Sequence, residues 1–450
     1  MCAPRLEIVT TRSGRMAGVS AVAERSDGLD RAEREVRGDV PAFVVTPRVR
    51  ARARPPVAAR GQAQGHGHLG YVDGLRALAA LFVVLHHAWL QIWPVDYARS
   101  PTGMDALLTG WMAYGHFAVS VFIVVSGFSL ALPIVRGDGS LRGGARGFLW
   151  RRAKRILPPY YGAIAFSLLL IATLVGRKTG THWDMSIPVT WHTLEMHLLM
   201  LQDLFGQGKI NHVFWSIAIE WRIYFLFPLM VLLWRRVGTG LTTLGVMAAA
   251  YIAQYRVSGT WLAPATPDYV ALFALGAVAA TIAFSREPRW RLAREALPWT
   301  AAALGFAVLL VALCWRWGSI FGWGDPSMLV IADTLAGLMA AAALVAASRA
   351  EGRNPLRAAL GWGPLVSVGV FSYSLYLVHA PLLQVAWQYL AHPLGFSGLA
   401  ELGLLLLVGL PLILGVAYLF HRVCERPFMN TRRAPAASRQ VKPEVRTASA

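Results

Sequence analysis

Arg76 and His87 lie eleven residues apart in a stretch that otherwise reads as a membrane helix. At about 100° per residue, eleven steps end roughly 20° past three full turns, so the two side chains share one face about 16 Å apart. That is comparable to the length of a long acyl-carrier arm. The guanidinium could hold a phosphate at one end while the imidazole meets a reactive carbonyl, as a general base, at the other. The competing reading lets Arg76 snorkel to the headgroups and packs His87 as an ordinary histidine. His86 points about 100° away, toward a neighbouring helix.

A second polar stripe follows Trp215: Ser216, Glu220 and Tyr224 repeat at i, i+4 and i+8. An ionisable group inside a span costs roughly 3 kcal/mol on insertion scales, so Glu220 needs a partner. The functional reading gives it His87 or a bound substrate, and the structural reading gives it Arg222 or another helix. Arg152 and Arg155, at i and i+3 if their segment is helical, present two guanidiniums to one phosphate, or else merely set topology. The run Ser372-Tyr373-Ser374-Leu375-Tyr376-Leu377-Val378-His379 adds a second intramembrane imidazole among hydroxyls. Asp333 is a further buried carboxylate without an assigned role. Two histidines and a glutamate could bind zinc, but no paired motif such as His-Glu-x-x-His is present, and no metal is expected.

The elements that must hold these residues are membrane helices. Of the 450 residues 56% are hydrophobic and only 15% charged, and the mean hydropathy is +0.47, which excludes a set of ordinary soluble domains. The 17 Trp and 13 Tyr suit aromatic belts, while Cys2, Cys314 and Cys424 are too few and too scattered for a disulfide framework. Apolar runs fall at 72–92, 115–135, 158–176, 211–234, 238–254, 268–284, 297–316, 327–347, 364–388 and 398–420. They predict an all-α integral membrane fold, a bundle of about ten transmembrane helices. The polar segment 191–205 reads as interfacial or re-entrant. No broken-helix pair, inverted repeat or soluble domain is evident.

The formal charge is +19, and residues 1–68 hold 12 Arg against 7 acids. Residues 1–68 and 429–450 read as disordered basic cytoplasmic tails around a transmembrane domain over 69–428, with no signal peptide. Arg136, Arg142, Arg146, Arg151, Arg152, Lys154 and Arg155 fill one loop region, and Arg286, Arg289, Arg291 and Arg294 another; the alternate loops are nearly bare. By the positive-inside rule both termini are cytoplasmic, in the inner membrane of a multi-pass protein, and the basic balance reflects anionic lipid rather than nucleic acid.

Taken together these stretches resemble the bacterial membrane-bound acyltransferase-3 family, which includes cell-envelope O-acetyltransferases and macrolide O-acyltransferases. The matching residues are Gly74-Leu75-Arg76 with ten residues before His87; Val119 to Phe128 with Ser126-Gly127; Arg152-x-x-Arg155; Trp215-Ser216 with Glu220, Tyr224 and Pro228; Ser372 to His379; and Glu425-Arg426-Pro427-Phe428. They run in order over about 80% of the chain. The resemblance implies acyl-CoA as co-substrate, acetyl-CoA as the expected donor, and O-acylation of a hydroxyl on a glycan, glycolipid or glycosylated metabolite. On it His87 and Glu220 are the catalytic residues, with Arg76, Arg152 and Arg155 binding the donor. Ser126, Trp215, Ser216, Tyr224, Tyr376 and His379 are expected to line the substrate path. Trp221 stands where many members carry a second acid, and Ala118 where many carry Gly. The competing class is a secondary transporter with an intramembrane polar pathway.

Overall fold

Leu69 leads into a helical chain, and the computed structural model describes residues 69–97, 99–205, 208–318, 326–349 and 354–429. Every regular element among them is helical: α1 Gly70–Ile92, α2 Gly103–Thr109, α3 Phe117–Arg136, α4 Gly144–Leu170, α5 Trp191–Leu198 and α6 Trp215–Val237. Then come α7 Thr239–Val257, α8 Asp268–Phe284, α9 Pro288–Ala296, α10 Trp299–Trp317 and α11 Pro326–Ser348. The last are α12 Pro355–Leu360, α13 Gly363–Val370, α14 Ser372–Ala386, α15 Gly398–Leu404 and α16 Leu410–Phe420. The tails expected over 1–68 and 429–450 lie, apart from Met429, outside the described residues.

Among the described residues eight helical runs are long and apolar enough to cross a membrane, and α13 with α14 would make a ninth. Of the expected spans, the one at 238–254 is not matched by such a run: it forms α7, whose Thr239, Thr242, Thr243, Gln254 and Arg256 dilute its apolar content. It still packs along α8. The polar segment after 190 forms only the short α5, started by a Thr190 capping box. Helix α10 turns Leu304, Val308, Leu309 and Val311 outward, as lipid-facing side chains should.

Two departures from the predicted spans shape the site. Helix α4 begins at Gly144, well before the expected start at 158, so Arg151, Arg152, Lys154 and Arg155 lie on its surface in helical register. It continues through Pro158 and Pro159, which a membrane helix tolerates when neighbours re-satisfy the freed carbonyls. The run read as one span over 364–388 is instead broken: α13 and α14 meet at 75° around Phe371. Gly369, at that break, abuts the Asp73 carbonyl of α1 so closely that a Cβ would sit 2.1 Å from it. The bend thereby sets α13 against the arginine-bearing part of α1 and α14 along the part that carries His87 and Gln91.

The core is drawn tight by small residues, as in membrane bundles generally. Ala271, Ala274, Ala277 and Ala280 of α8 are fully buried. A Cβ on Gly276 would lie 1.9 Å from the Val124 carbonyl of α3, and one on Gly127 would lie 2.0 Å from the Phe273 carbonyl of α8. The two backbones therefore touch, which fixes Ser126 and Ser129 of α3 toward α1 and α6.

Candidate active site

A cavity of about 500 Å³ lies among α1, α3, α4, α6, α13 and α14, and Arg76, Arg152 and Arg155 all line it. Arg76 donates to Asp73 Oδ1 at 2.6 Å and to Ser129 Oγ at 2.6 Å. Glu220 Oε1 accepts from Ser126 Oγ at 2.6 Å and from Tyr224 Oη at 2.5 Å. Glu425, also on the wall, is occupied by Ser374 and His421. Arg152 and Arg155 have no carboxylate partner among the described residues, and Arg152 Nε is buried without a hydrogen bond. Two unmatched guanidiniums facing a cavity are the donor set an anionic ligand requires.

The hydroxyls of Ser216 and Tyr376, 2.6 Å apart, also lie on the cavity wall. Tyr376 also donates to the Val213 carbonyl at 2.8 Å, and Phe122 packs edge-on against its ring. Beyond Tyr376 lies a group of imidazoles. The His379 ring is 5.8 Å from the Tyr376 ring, and His379 Nε2 is 3.1 Å from His87 Nδ1. His379 Nδ1 faces the Tyr376 and Leu375 carbonyls at 2.8 and 3.2 Å, so it carries the proton and leaves Nε2 as acceptor. His87 Nδ1 then bears a proton, shared between His379 Nε2 and the Val83 carbonyl at 3.0 Å, and the lone pair of His87 sits on Nε2. His86 is buried separately against the Met112 carbonyl at 2.8 Å, as its helical angle predicted.

Arg76, Arg152, Arg155, Ser126, Ser216, Glu220, Tyr224 and Tyr376 thus share one cavity, while His87 and His379 do not line it. The anticipated Glu220–His87 pairing is absent among the described residues. Glu220 is held from α3 and by the next turn of its own helix, and His87 is partnered by α14. Nor does Arg222 answer Glu220: it makes a two-pronged contact with Asp203. Trp215 lies off the cavity wall, stacked on His116 with ring centres 5.8 Å apart. Asp333 gains a structural setting, paired with His116 Nε2 at 3.2 Å and bonded by Ser120 Oγ.

Two residues near His87 were missed from sequence. His182, in the turn His182–Ser186, and His212, just before α6, have ring centres 6.1 and 5.1 Å from that of His87. His212 sits three residues before the Trp215-Ser216 motif, a usable hint; nothing in the spacing of His182 points to α1.

An all-helical, multi-pass membrane protein is thus defined, with a guanidinium-lined cavity leading toward paired imidazoles. The family model described as "Acyltransferase domain", of the acyltransferase-3 type, matches residues 69–422. The chain belongs to that family and is a membrane acyltransferase. It is 27% identical to acyltransferase MdmB of Streptomyces mycarofaciens over 82% of this chain and 94% of the relative. It is 24% identical to the putative peptidoglycan O-acetyltransferase YrhL of Bacillus subtilis, over 71% of this chain and 49% of the relative. For O-acetyltransferase OatA of Staphylococcus aureus the values are 23%, 72% and 52%, so the chain spans about half the length of these two relatives. No solved structure matches it significantly.

Proposed function

We propose that this chain moves an acyl group, acetyl in the first instance, from acyl-CoA to a hydroxyl of a glycan, glycolipid or glycosylated metabolite, within the inner membrane. The observation that carries this reading is the pair of guanidiniums, Arg152 and Arg155, without carboxylate partners among the described residues, on the cavity that Arg76 completes and whose wall includes Tyr376, the neighbour of His379 and through it of His87. The CoA phosphates bind the arginines, and the pantetheine arm runs along Ser126 and Glu220 to Ser216 and Tyr376. The acyl thioester passes Tyr376 to reach the imidazoles. His87 Nε2 takes the proton of the acceptor hydroxyl as its oxygen attacks the thioester carbonyl. The carbon–sulfur bond breaks, and the CoA thiolate leaves to be protonated.

His379 acts as a positioning residue, because its Nε2 accepts the Nδ1 proton of His87 and so directs the lone pair of His87 to Nε2. Glu220 organises the cavity wall through Ser126 and Tyr224 rather than supporting the base directly. The relative named as a putative peptidoglycan O-acetyltransferase favours an envelope glycan as acceptor, while MdmB, matched along nearly its full length, is named only as an acyltransferase and does not restrict the acceptor further.

Incubation of the purified protein with acetyl-CoA and candidate acceptors, following free thiol, tests the proposal. Acceptor-dependent thiol release is expected. A transporter would release none. Trapping of labelled acyl-protein without acceptor would move the mechanism to an acyl-histidine intermediate.

A further inference from the structure

His87, His182 and His212 each offer one ring nitrogen, and the three nitrogens lie within 4.8 Å of one another. Ring centres of His182 and His212 are 4.6 Å apart, so the three imidazoles enclose one point from three separate segments. Two rings have their other nitrogen already tied. His87 Nδ1 is held by Val83 and His379, and His212 Nδ1 lies 3.0 Å from Ser186 Oγ. His212 Nε2 is left buried with no hydrogen-bond partner, an orphan polar atom beside two other imidazoles.

The supporting segments are fixed. Asp184 accepts from Thr179 N at 3.0 Å, Gly180 N at 2.9 Å and Tyr97 Oη at 2.5 Å, and Trp183 Nε1 donates to the Val175 carbonyl, which pins the turn carrying His182. Ser186 Oγ also accepts the His212 backbone N–H at 3.2 Å, which locks the start of α6 to the same turn. Anchoring the far nitrogen of a ligand ring, as at His87 and His212, is the arrangement that orients histidines toward a metal.

We propose that His87, His182 and His212 form a binding site for a divalent transition metal of the zinc class, and that the bound ion inhibits acyl transfer by occupying the lone pair of His87. Three neutral imidazoles select zinc, cobalt, nickel or copper over magnesium or calcium, which prefer oxygen. Metal–nitrogen bonds of about 2.0–2.1 Å in tetrahedral geometry bring ligand nitrogens to roughly 3.3 Å from each other, so closure requires side-chain rotation of about an ångström. The fourth position is left for water. Because metal and acceptor proton compete for one nitrogen, the metal-free protein is the active form. The site itself stands on geometry alone, while the inhibition rests on the proposed role of His87.

Titration of the metal-stripped full chain, free of any affinity tag, with Co²⁺ tests the site directly. One equivalent should give the visible absorption of tetrahedral cobalt, displaced by Zn²⁺ and not by Mg²⁺. His182→Ala and His212→Ala should each weaken Co²⁺ binding at least ten-fold, while His192→Ala, on the exposed face of α5, should not. Absent bands, or bands unchanged in both variants, would overturn the site. In the thiol-release assay Zn²⁺ should inhibit and EDTA should restore activity. Activity lost on stripping and regained with Zn²⁺ would overturn inhibition in favour of a required metal. If no thiol release occurs under any condition, the acyl-transfer reading fails while the cobalt titration still decides the site.

Discussion

His379 Nε2 lies 3.1 Å from His87 Nδ1, joining α14 to α1 across the bundle. The contact fixes which nitrogen of His87 is free, so the two residues differ in role and should differ in mutational cost. General-base catalysis typically contributes 10²- to 10⁴-fold, so His87→Ala should lower turnover by about that factor. His379→Ala leaves the Val83 carbonyl as an alternative acceptor and should cost less, about ten-fold. His379→Gln restores an acceptor oxygen and should recover part of the loss. His86→Ala should be much milder than His87→Ala. Equal effects of the 86 and 87 variants, measured as kcat, would remove His87 from the chemistry.

Donor affinity should depend on Arg152 and Arg155 separately from kcat. A charge-assisted hydrogen bond contributes roughly 1.5–3 kcal/mol, so Arg155→Ala should weaken CoA binding by about one to two orders of magnitude. Lysine at either position should rescue only partly, since it lacks the planar two-pronged geometry. Calorimetric titration with CoA reads this directly. Unchanged affinity in an alanine variant would return that arginine to setting topology.

Glu220 shares the cavity with these arginines but hydrogen-bonds only Ser126 and Tyr224 among the described residues. Glu220→Gln keeps an acceptor oxygen while removing a negative charge from an anion-binding cavity. CoA should therefore bind more tightly, by roughly 3- to 10-fold for about 1 kcal/mol of relieved repulsion. The pH dependence of turnover should keep its shape. A large loss of kcat with altered pH dependence would instead restore direct support of His87.

What was legible in the sequence was periodic. Arg76 and His87 share a face because both lie on one uninterrupted helix, and Ser216, Glu220 and Tyr224 form a stripe for the same reason. Arg152 and Arg155 reach the cavity because the helix of α4 extends through the juxtamembrane run, which hydropathy alone does not reveal. Partners across helices were not legible. Glu220 and His87 looked complementary in charge and depth, but that complementarity cannot say that α14 rather than α6 faces His87. Likewise Gly361, Gly363, Pro364 and Gly369 are breaker signals ahead of Phe371, yet continuous hydropathy concealed the bend there.

Backbone contact between α3 and α8 should make the bundle intolerant of one methyl group. A Cβ on Gly276 would fall 1.9 Å from the Val124 carbonyl, far inside contact distance and against rigid backbone. Gly276→Ala should destabilise despite a helix-propensity gain of roughly 1 kcal/mol, because overpacking typically costs about 1–3 kcal/mol or more. Gly245→Ala on α7, where nothing lies within 4 Å, is the matched control and should be neutral or stabilising. Thermal unfolding in detergent compares the two. Equal midpoints would show that α3 and α8 can separate without loss.

The final prediction concerns the side from which each substrate enters. Arg76, Arg152 and Arg155 meet on one cavity, and the positive-inside rule applied to the loop charges predicts that this end is cytoplasmic. His87 lies toward the opposite end of α1, beyond Ser216 and Tyr376 and beside the turn that carries His182. An extended donor arm anchored on the arginines can therefore deliver its thioester past Tyr376 without CoA crossing the bilayer, while the acceptor approaches from the far side. In sealed vesicles of known orientation, acetyl-CoA on the cytoplasmic face alone should label an impermeant acceptor confined to the other face. Tyr376→Phe removes the hydroxyl that meets Ser216 on the part of the cavity wall next to His379, so it should change kcat while leaving CoA affinity intact. Product formed only with both substrates on the cytoplasmic side would reverse the acceptor's direction of entry, leave the acyltransferase itself untouched, and favour an acceptor that is modified before export.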